Sequence, residues 1–297
     1  MNKYLIFRTD RIGDFLLTAI LINSIKRNEP NSIITVVSSE NNYDYIKSFD
    51  FIDEVILLKN NFFDKIRLIK KLRKTYYEYV ILHDSKKRSS KISLFLKFGL
   101  KIKSNNNLDI SYIEIIKKIL SELNFNFIDS DLNTLKQRNY NSLDYSNKDF
   151  ILFHFDEKWI YANYISEYTN IEPSKDALIS FINLLLITSN KELIITTGMN
   201  CPNILNDIFD NNLDSRITIY KKLDFLDLEN LISKCKLLVS CHGSVSHIAA
   251  AHQIKQIDII DEKKLDFYSK WSAHFRNYTP IYRKKFSELS KEITQLL

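Results

Sequence analysis

The sequence predicts an α/β fold: two consecutive Rossmann-like domains facing a cleft, each built on a doubly wound parallel sheet. Three observations predict it. Short apolar runs bounded by polar turns, such as Tyr4-Leu5-Ile6-Phe7 and Phe150-Ile151-Leu152-Phe153, have the length and composition of fully buried strands. The runs alternate with helical stretches of roughly 10–15 residues, the rhythm of parallel βαβ units. The alternation pauses over an Asn-rich stretch and restarts at residue 150, and 297 residues suit two domains of about 150 better than one core.

In the first half, strands are expected at residues 4–7, 32–37, 53–58 and 79–82, with a further strand at 99–103. Helices are expected at 15–27, 42–48, 62–76 and 89–98, the first stopped by Pro30. One clear helix, 113–123, interrupts the Asn-rich stretch from 104 to 148, and the domain boundary is placed near Asn147. In the second half the strands are 150–153, 192–196, 216–219, a run beginning at Leu237, and 256–259. Helices are 175–188, one after Pro202, and 226–233 capped by Asp224 or Asp227. The domains are therefore 1–147 and 148–275, with an amphipathic helical tail in 276–297 packing back on the first.

Apolar residues at 45% and charged residues at 26% are ordinary globular proportions and argue against disorder. A net charge of +6 and a pI near 8.9 suit anionic partners such as nucleotide phosphates, acidic glycans or an anionic leaflet. No nucleic-acid reader motif accompanies the charge, so a nucleic-acid partner is not expected. Cys201, Cys235 and Cys241 are an odd, sparse set without a Cys-x-x-Cys pair, as in a reducing compartment. With neither a signal peptide nor a membrane-length apolar run, a cytoplasmic protein is expected, with contact at the inner membrane peripheral at most. Glycine occurs only four times, so each is expected to be informative about where the backbone needs φ > 0.

Three strand ends carry candidate chemistry. In Arg8-Thr9-Asp10-Arg11-Ile12-Gly13-Asp14 the chain turns at Gly13, and Asp14 opens a helix. The plain reading of Asp14 is a helix cap; the functional one is a carboxylate that accepts a proton from a substrate hydroxyl. His154-Phe155-Asp156-Glu157-Lys158-Trp159 places Lys158 after the first strand of the second half, either solvated or meeting an anion. The stretch Ser240-Cys241-His242-Gly243-Ser244-Val245-Ser246-His247-Ile248-Ala249-Ala250-Ala251 turns from strand to helix. Such a turn points backbone N–H groups outward as an anion site, with Ser244 as N-cap and His247 in the first turn. A metal site from Cys241, His242, His247 and His252 is disfavoured, since a five-residue spacing leaves two of the histidines about 140° apart on the helix. His83-Asp84-Ser85 and the basic Lys86-Lys87-Arg88 suit a solvated helix start or an acidic acceptor. The aromatic and basic residues 271–276 suit packing.

Arg8-Thr9-Asp10-Arg11-Ile12-Gly13-Asp14-Phe15-Leu16-Leu17-Thr18 resembles the N-terminal signature of glycosyltransferase family 9, the bacterial lipopolysaccharide heptosyltransferases. Ser246-His247-Ile248-Ala249-Ala250-Ala251 resembles the family's second signature. Lys158-Trp159 and Thr196-Thr197-Gly198 sit where it has a Lys-Trp pair and a Thr-Gly-Gly strand end. The match in order and spacing covers roughly residues 3–260.

The resemblance implies a GT-B fold, acceptor domain first and nucleotide-sugar domain second, with the C-terminal helix crossing back. It implies inverting, metal-independent transfer of heptose or another sugar from a nucleotide diphosphate donor, with no cofactor. The acceptor it implies is a lipid-linked glycan: lipopolysaccharide, lipooligosaccharide or capsule. Asp14 matches the family's base. Lys158, Gly243, Ser244, Val245 and His247 match its donor-phosphate corner, where backbone N–H groups and Lys stabilise the leaving diphosphate. Arg8, Asp10, Arg11, Gly13, Asp84 and His242 are candidates for the acceptor side or the cleft. His242-Gly243-Ser244 departs from the family's Asp-Thr-Gly, and Ile259-Ile260-Asp261 replaces a Gly-rich strand end. Two alternatives stay open: a catalytically silent nucleotide-sugar-binding or scaffold protein, and a nucleotide-sugar epimerase of the same fold.

Overall fold

A computed structural model describes residues 1–104, 109–135, 149–161, 166–209 and 214–297. The chain divides into two compact units, Met1–Thr134 and Leu135–Leu297. The boundary expected near Asn147 lies outside the described residues.

The first unit contains β1 (Lys3–Phe7), α1 (Ile12–Asn28), β2 (Ile33–Ser38), α2 (Tyr43–Lys47) and β3 (Glu54–Leu57). It continues with α3 (Phe62–Leu72), β4 (Tyr76–Leu82), α4 (Lys87–Ser93), β5 (Lys97–Lys103) and α5 (Tyr112–Glu122). Its sheet has the order β3-β2-β1-β4-β5, all parallel. Parallel neighbours cannot be joined by a tight turn, so each crossover spends a helix, which covers a sheet face. Tyr4 to Phe7 are fully buried, as a central strand covered on both faces requires.

Helix α1 begins three residues earlier than expected. Arg11 is its N-cap, and the Asp14 carboxylate reaches back to accept from the Arg11 N–H at 3.0 Å, closing half of a capping box. Gly13 therefore lies inside the first helical turn and makes no turn of its own. None of the four glycines adopts the left-handed conformation. That conformation falls instead to Ser85, Asn124, Asn190, Lys222 and Gln253 among the described residues.

The second unit contains β6 (Phe150–His154), α6 (Lys175–Ser189), β7 (Glu192–Thr196), α7 (Asn203–Phe209) and β8 (Ile217–Tyr220). Helix α8 (Phe225–Lys234), capped by Asp224, leads to β9 (Leu237–Cys241), α9 (Ser244–Ala251) and β10 (Gln256–Ile260). The last elements are α10 (Leu265–Ser272), β11 (Tyr278–Tyr282) and α11 (Phe286–Gln295). The sheet order is β11-β10-β9-β6-β7-β8, again all parallel.

Residues 276–297 are thus not a helical tail. They supply β11, which pairs with β10 from Gln256↔Tyr278 to Ile260↔Tyr282, and they finish the second unit. Pro280 hides this strand from sequence reading, yet an edge strand tolerates a residue that cannot donate to the ladder. Helix α11 likewise seats its apolar stripe, Phe286, Leu289 and Ile293, in the core of the second unit, where the expectation placed it on the first. The Phe286 ring meets Phe181 at 5.6 Å and Trp159 at 6.4 Å. Among the described residues no helix is long and apolar enough to cross a membrane.

Candidate functional site

In each sheet the crossover direction reverses beside one central strand, and the loops leaving such a switch point splay apart to leave room for a ligand. In the first unit that point lies between β1 and β4; in the second it lies between β6 and β9. The residues singled out from sequence fall at these two places, and each is described within its own unit.

At the β1/β4 point Arg8 is 3% exposed and works as a staple. Its Nε and one terminal nitrogen donate to the Asp14 carbonyl at 2.8 and 2.6 Å, and the other terminal nitrogen donates to the His83 carbonyl at 2.7 Å. A buried guanidinium is tolerable only with its donors filled, and here the filling locks the start of α1 to the end of β4. Asp10 pairs with Arg8 at 3.5 Å and with Lys86. Asp84 is buried and accepts from the Thr9 hydroxyl and the Ser89 hydroxyl, both at 2.6 Å, and from the Lys86 N–H at 3.1 Å. Its oxygens are committed to holding the loops together. Arg88 and Lys86 both donate to the Thr9 carbonyl, so two members of the basic run are fastened and Lys87 is exposed.

His83 hydrogen-bonds the Thr18 hydroxyl through Nδ1 at 2.8 Å. Burial, reinforced by Arg8, pushes its pKa well below the ordinary imidazole value, so the ring is neutral. Asp14 is half-buried, with one oxygen on the Arg11 N–H. Tyr112, at the start of α5, feels Arg8, Asp14 and Asp10; burial is the main reason its phenol pKa rises. Sequence reading missed Tyr112, because only the fold brings it to β1.

At the β6/β9 point Lys158 and Gly243 come together. A Cβ placed on Gly243 would lie 2.6 Å from Lys158 Nζ, so the ammonium occupies the space that the missing side chain leaves. Lys158 is also held by the Asp156 carboxylate at 2.7 Å. Asp156 is 3% exposed, caps the turn carrying Lys158, and lies 3.6 Å from His154 Nε2. Burial opposes its ionisation, but Lys158 and His154 outweigh that and hold its carboxyl well below the usual range. Arg283, from the end of β11, donates to the Lys158 carbonyl at 2.8 Å and to the Thr169 carbonyl at 3.0 Å. It fixes the backbone beneath the lysine.

The N-cap of α9 is Gly243, not Ser244, which is the first helical residue. With no side chain at the cap, Ser246 takes over, its Oγ accepting from the Gly243 N–H at 3.2 Å. The first helical N–H groups, Ser244 and Val245, point out of the helix end beside Lys158, as helix geometry requires. His242 turns inward: Nδ1 meets Asp258 at 2.6 Å, and Asp258 also accepts from Ser246 at 2.8 Å while fully buried on β10. His247, expected beside a bound anion, is 6% exposed among aromatic rings, 5.1 Å from Phe275, 5.6 Å from His242 and 5.9 Å from Trp271. Burial lifts the Cys241 thiol to about 12, so it stays a neutral core group. Among the described residues no three His, Cys, Asp or Glu side chains are grouped to hold a metal ion.

Of the predicted donor residues, the structure brings together Lys158, Gly243, Ser244 and Val245 and turns His247 into the interior. Asp258 and Arg283, which help position them, carried no local motif; Asp156 lay within the stretch singled out around Lys158 but was given no role there.

No family model and no curated protein matches the sequence. Solved structures do match in shape. E. coli heptosyltransferase WaaC with ADP superimposes with a TM-score of 0.75 at 12% identity, covering 99% of this chain and 98% of that one. A glycosyl transferase family 9 protein from Veillonella parvula gives 0.70 at 11% identity over 99% and 88% of the two chains. The UDP-GlcNAc 2-epimerase from Methanocaldococcus jannaschii gives 0.59 at 12% identity over 100% and 92%. This chain has the GT-B-like α/β fold that those heptosyltransferase and epimerase structures share.

Proposed function

We propose that the protein is an inverting, metal-independent glycosyltransferase that uses a nucleotide diphosphate sugar and a lipid-linked glycan acceptor. The observation that carries the reading is the Lys158 ammonium lodged in the space over Gly243, at the N-terminus of α9 and at the switch point of the second sheet. The leaving diphosphate gains negative charge in the transition state. A lysine held in place and outward N–H groups supply a matching field without reorganising. In the first unit, Asp14 takes the acceptor hydroxyl proton as that oxygen attacks the anomeric carbon and the bond to the diphosphate breaks. Its Arg11 contact engages one carboxylate oxygen, and the paired Arg8 bonds fix its backbone.

The shared fold with epimerase structures supports a second reading, rearrangement of the nucleotide sugar itself. A thermal-shift screen of ADP, UDP, GDP and CDP identifies the base, since a ligand of the folded state raises its melting temperature. Product analysis with the matching nucleotide sugar separates transfer from epimerisation. Asp14→Asn abolishes transfer and leaves nucleoside diphosphate affinity unchanged; full activity in that variant removes the base assignment.

A further inference from the structure

Charge is distributed very unevenly along this chain. Residues 59–103 hold fourteen of its 42 Lys and Arg but only three of its 36 Asp and Glu, a surplus of eleven in a protein whose total is +6. The same stretch holds six of the fifteen exposed large apolar side chains among the described residues. Phe62 and Phe63 open α3 at 69% and 72% exposure, their rings edge to face at 5.9 Å. Leu94 and Phe95 close α4 at 70% and 57%. Helices α3 and α4 lie on one face of the first sheet, because Leu68, Leu72 and Ile92 join a single core with Val80 and Leu82. Arg88 hydrogen-bonds Asn60 at 3.0 Å, which ties the start of α4 to the loop before α3.

We infer that this α3–α4 face docks on an anionic lipid bilayer. Lysines on the edge strand β5 could serve only to block edge-to-edge pairing, but that accounts for none of the four exposed apolar residues that open α3 or follow the last turn of α4. A phosphate polymer would engage the lysines and leave those apolar groups in water. A bilayer surface accepts both at once: rings and Leu enter the acyl boundary while Lys and Arg stay among charged headgroups. The inference needs neither donor nor acceptor, so it stands or falls separately from sugar transfer.

The test is sedimentation of the full-length protein with vesicles of phosphatidylcholine alone or with phosphatidylglycerol added. Binding is expected only with the anionic lipid and weakens as salt rises. Phe62→Ser/Phe63→Ser weakens it about tenfold or more. Lys87→Gln/Lys91→Gln weakens it about 25-fold, roughly fivefold for each lysine. The control Lys175→Gln/Lys263→Gln, with the same charge change in the second unit, leaves binding unaltered. Because all these side chains are exposed, circular dichroism is expected to match the parent. Equal losses in the two lysine pairs, or equal binding to neutral vesicles, overturn the inference. So does a DNA oligomer that binds better than vesicles and is indifferent to the phenylalanine pair.

Discussion

Gly243→Ala isolates the contact on which the donor reading rests. The backbone there is extended, at φ 175°, so alanine brings no conformational strain. Its Cβ would stand 2.6 Å from Lys158 Nζ, 3.4 Å from Lys158 Cε and 3.9 Å from the Cys241 carbonyl. Ordinary contact begins near 3.5 Å, so the ammonium has to retreat by about 1 Å. It is the end of a flexible side chain, and the retreat costs folding little, about 1 kcal/mol or less. The smaller unfolded-state entropy of alanine offsets about 0.4–1 kcal/mol of that. Binding suffers more, because a charge-assisted hydrogen bond is worth about 1.5–3 kcal/mol. Calorimetric titration with the preferred nucleoside diphosphate is therefore expected to show a roughly 10- to 100-fold weaker Kd and a nearly unchanged melting temperature. If the effect passes through the lysine, Gly243→Ala adds little on top of Lys158→Ala, since the two share one interaction. Unchanged affinity in Gly243→Ala refutes the placement of the diphosphate, and full additivity refutes the mechanism.

Arg283→Met removes the donors to the Lys158 and Thr169 carbonyls; melting is expected to reveal a loss of about 1–3 kcal/mol, with diphosphate affinity falling in parallel. His83 gives the acid limb of stability. Its folded-state pKa is depressed while the unfolded ring titrates near ~6.5, so below that pH the unfolded chain binds a proton that the native one refuses. Stability is thus complete above that value and declines as pH falls through it, and His83→Gln flattens the slope of melting temperature between neutral and mildly acidic pH.

Most of the architecture was legible because parallel strands buried on both faces appear as uninterrupted apolar runs. Residues 192–196 were delimited to the residue as β7. What failed was governed by contacts distant in sequence. Pro280 argues against a strand until β10 is seen beside it, making it an edge. The start of α1 moved because the Arg11 backbone N–H finds its acceptor in Asp14, a pairing as local as any cap but not signalled by a Ser or Thr. Ser244 looked like the cap of α9 by residue type, yet Gly243 fills that position because a side chain there would collide with Lys158. At the sites, the exposed or half-exposed members were visible as motifs. Asp258 and Arg283 act through partners 12 to 125 residues away and left no trace in spacing, whereas Asp156 stood two residues from Lys158 in a stretch already singled out, without a role of its own.

That longest link orders events during synthesis. Lys158 and its turn leave the ribosome well before Arg283, Phe286 and the strand β11. Until those last residues arrive, the Lys158 carbonyl lacks its guanidinium and Trp159 lacks the Phe286 ring against it. The corner that joins Lys158 and Gly243 therefore gains its C-terminal contacts last. A nascent chain stalled before residue 283 carries its lysine and glycine but lacks the guanidinium bonds to the Lys158 and Thr169 carbonyls.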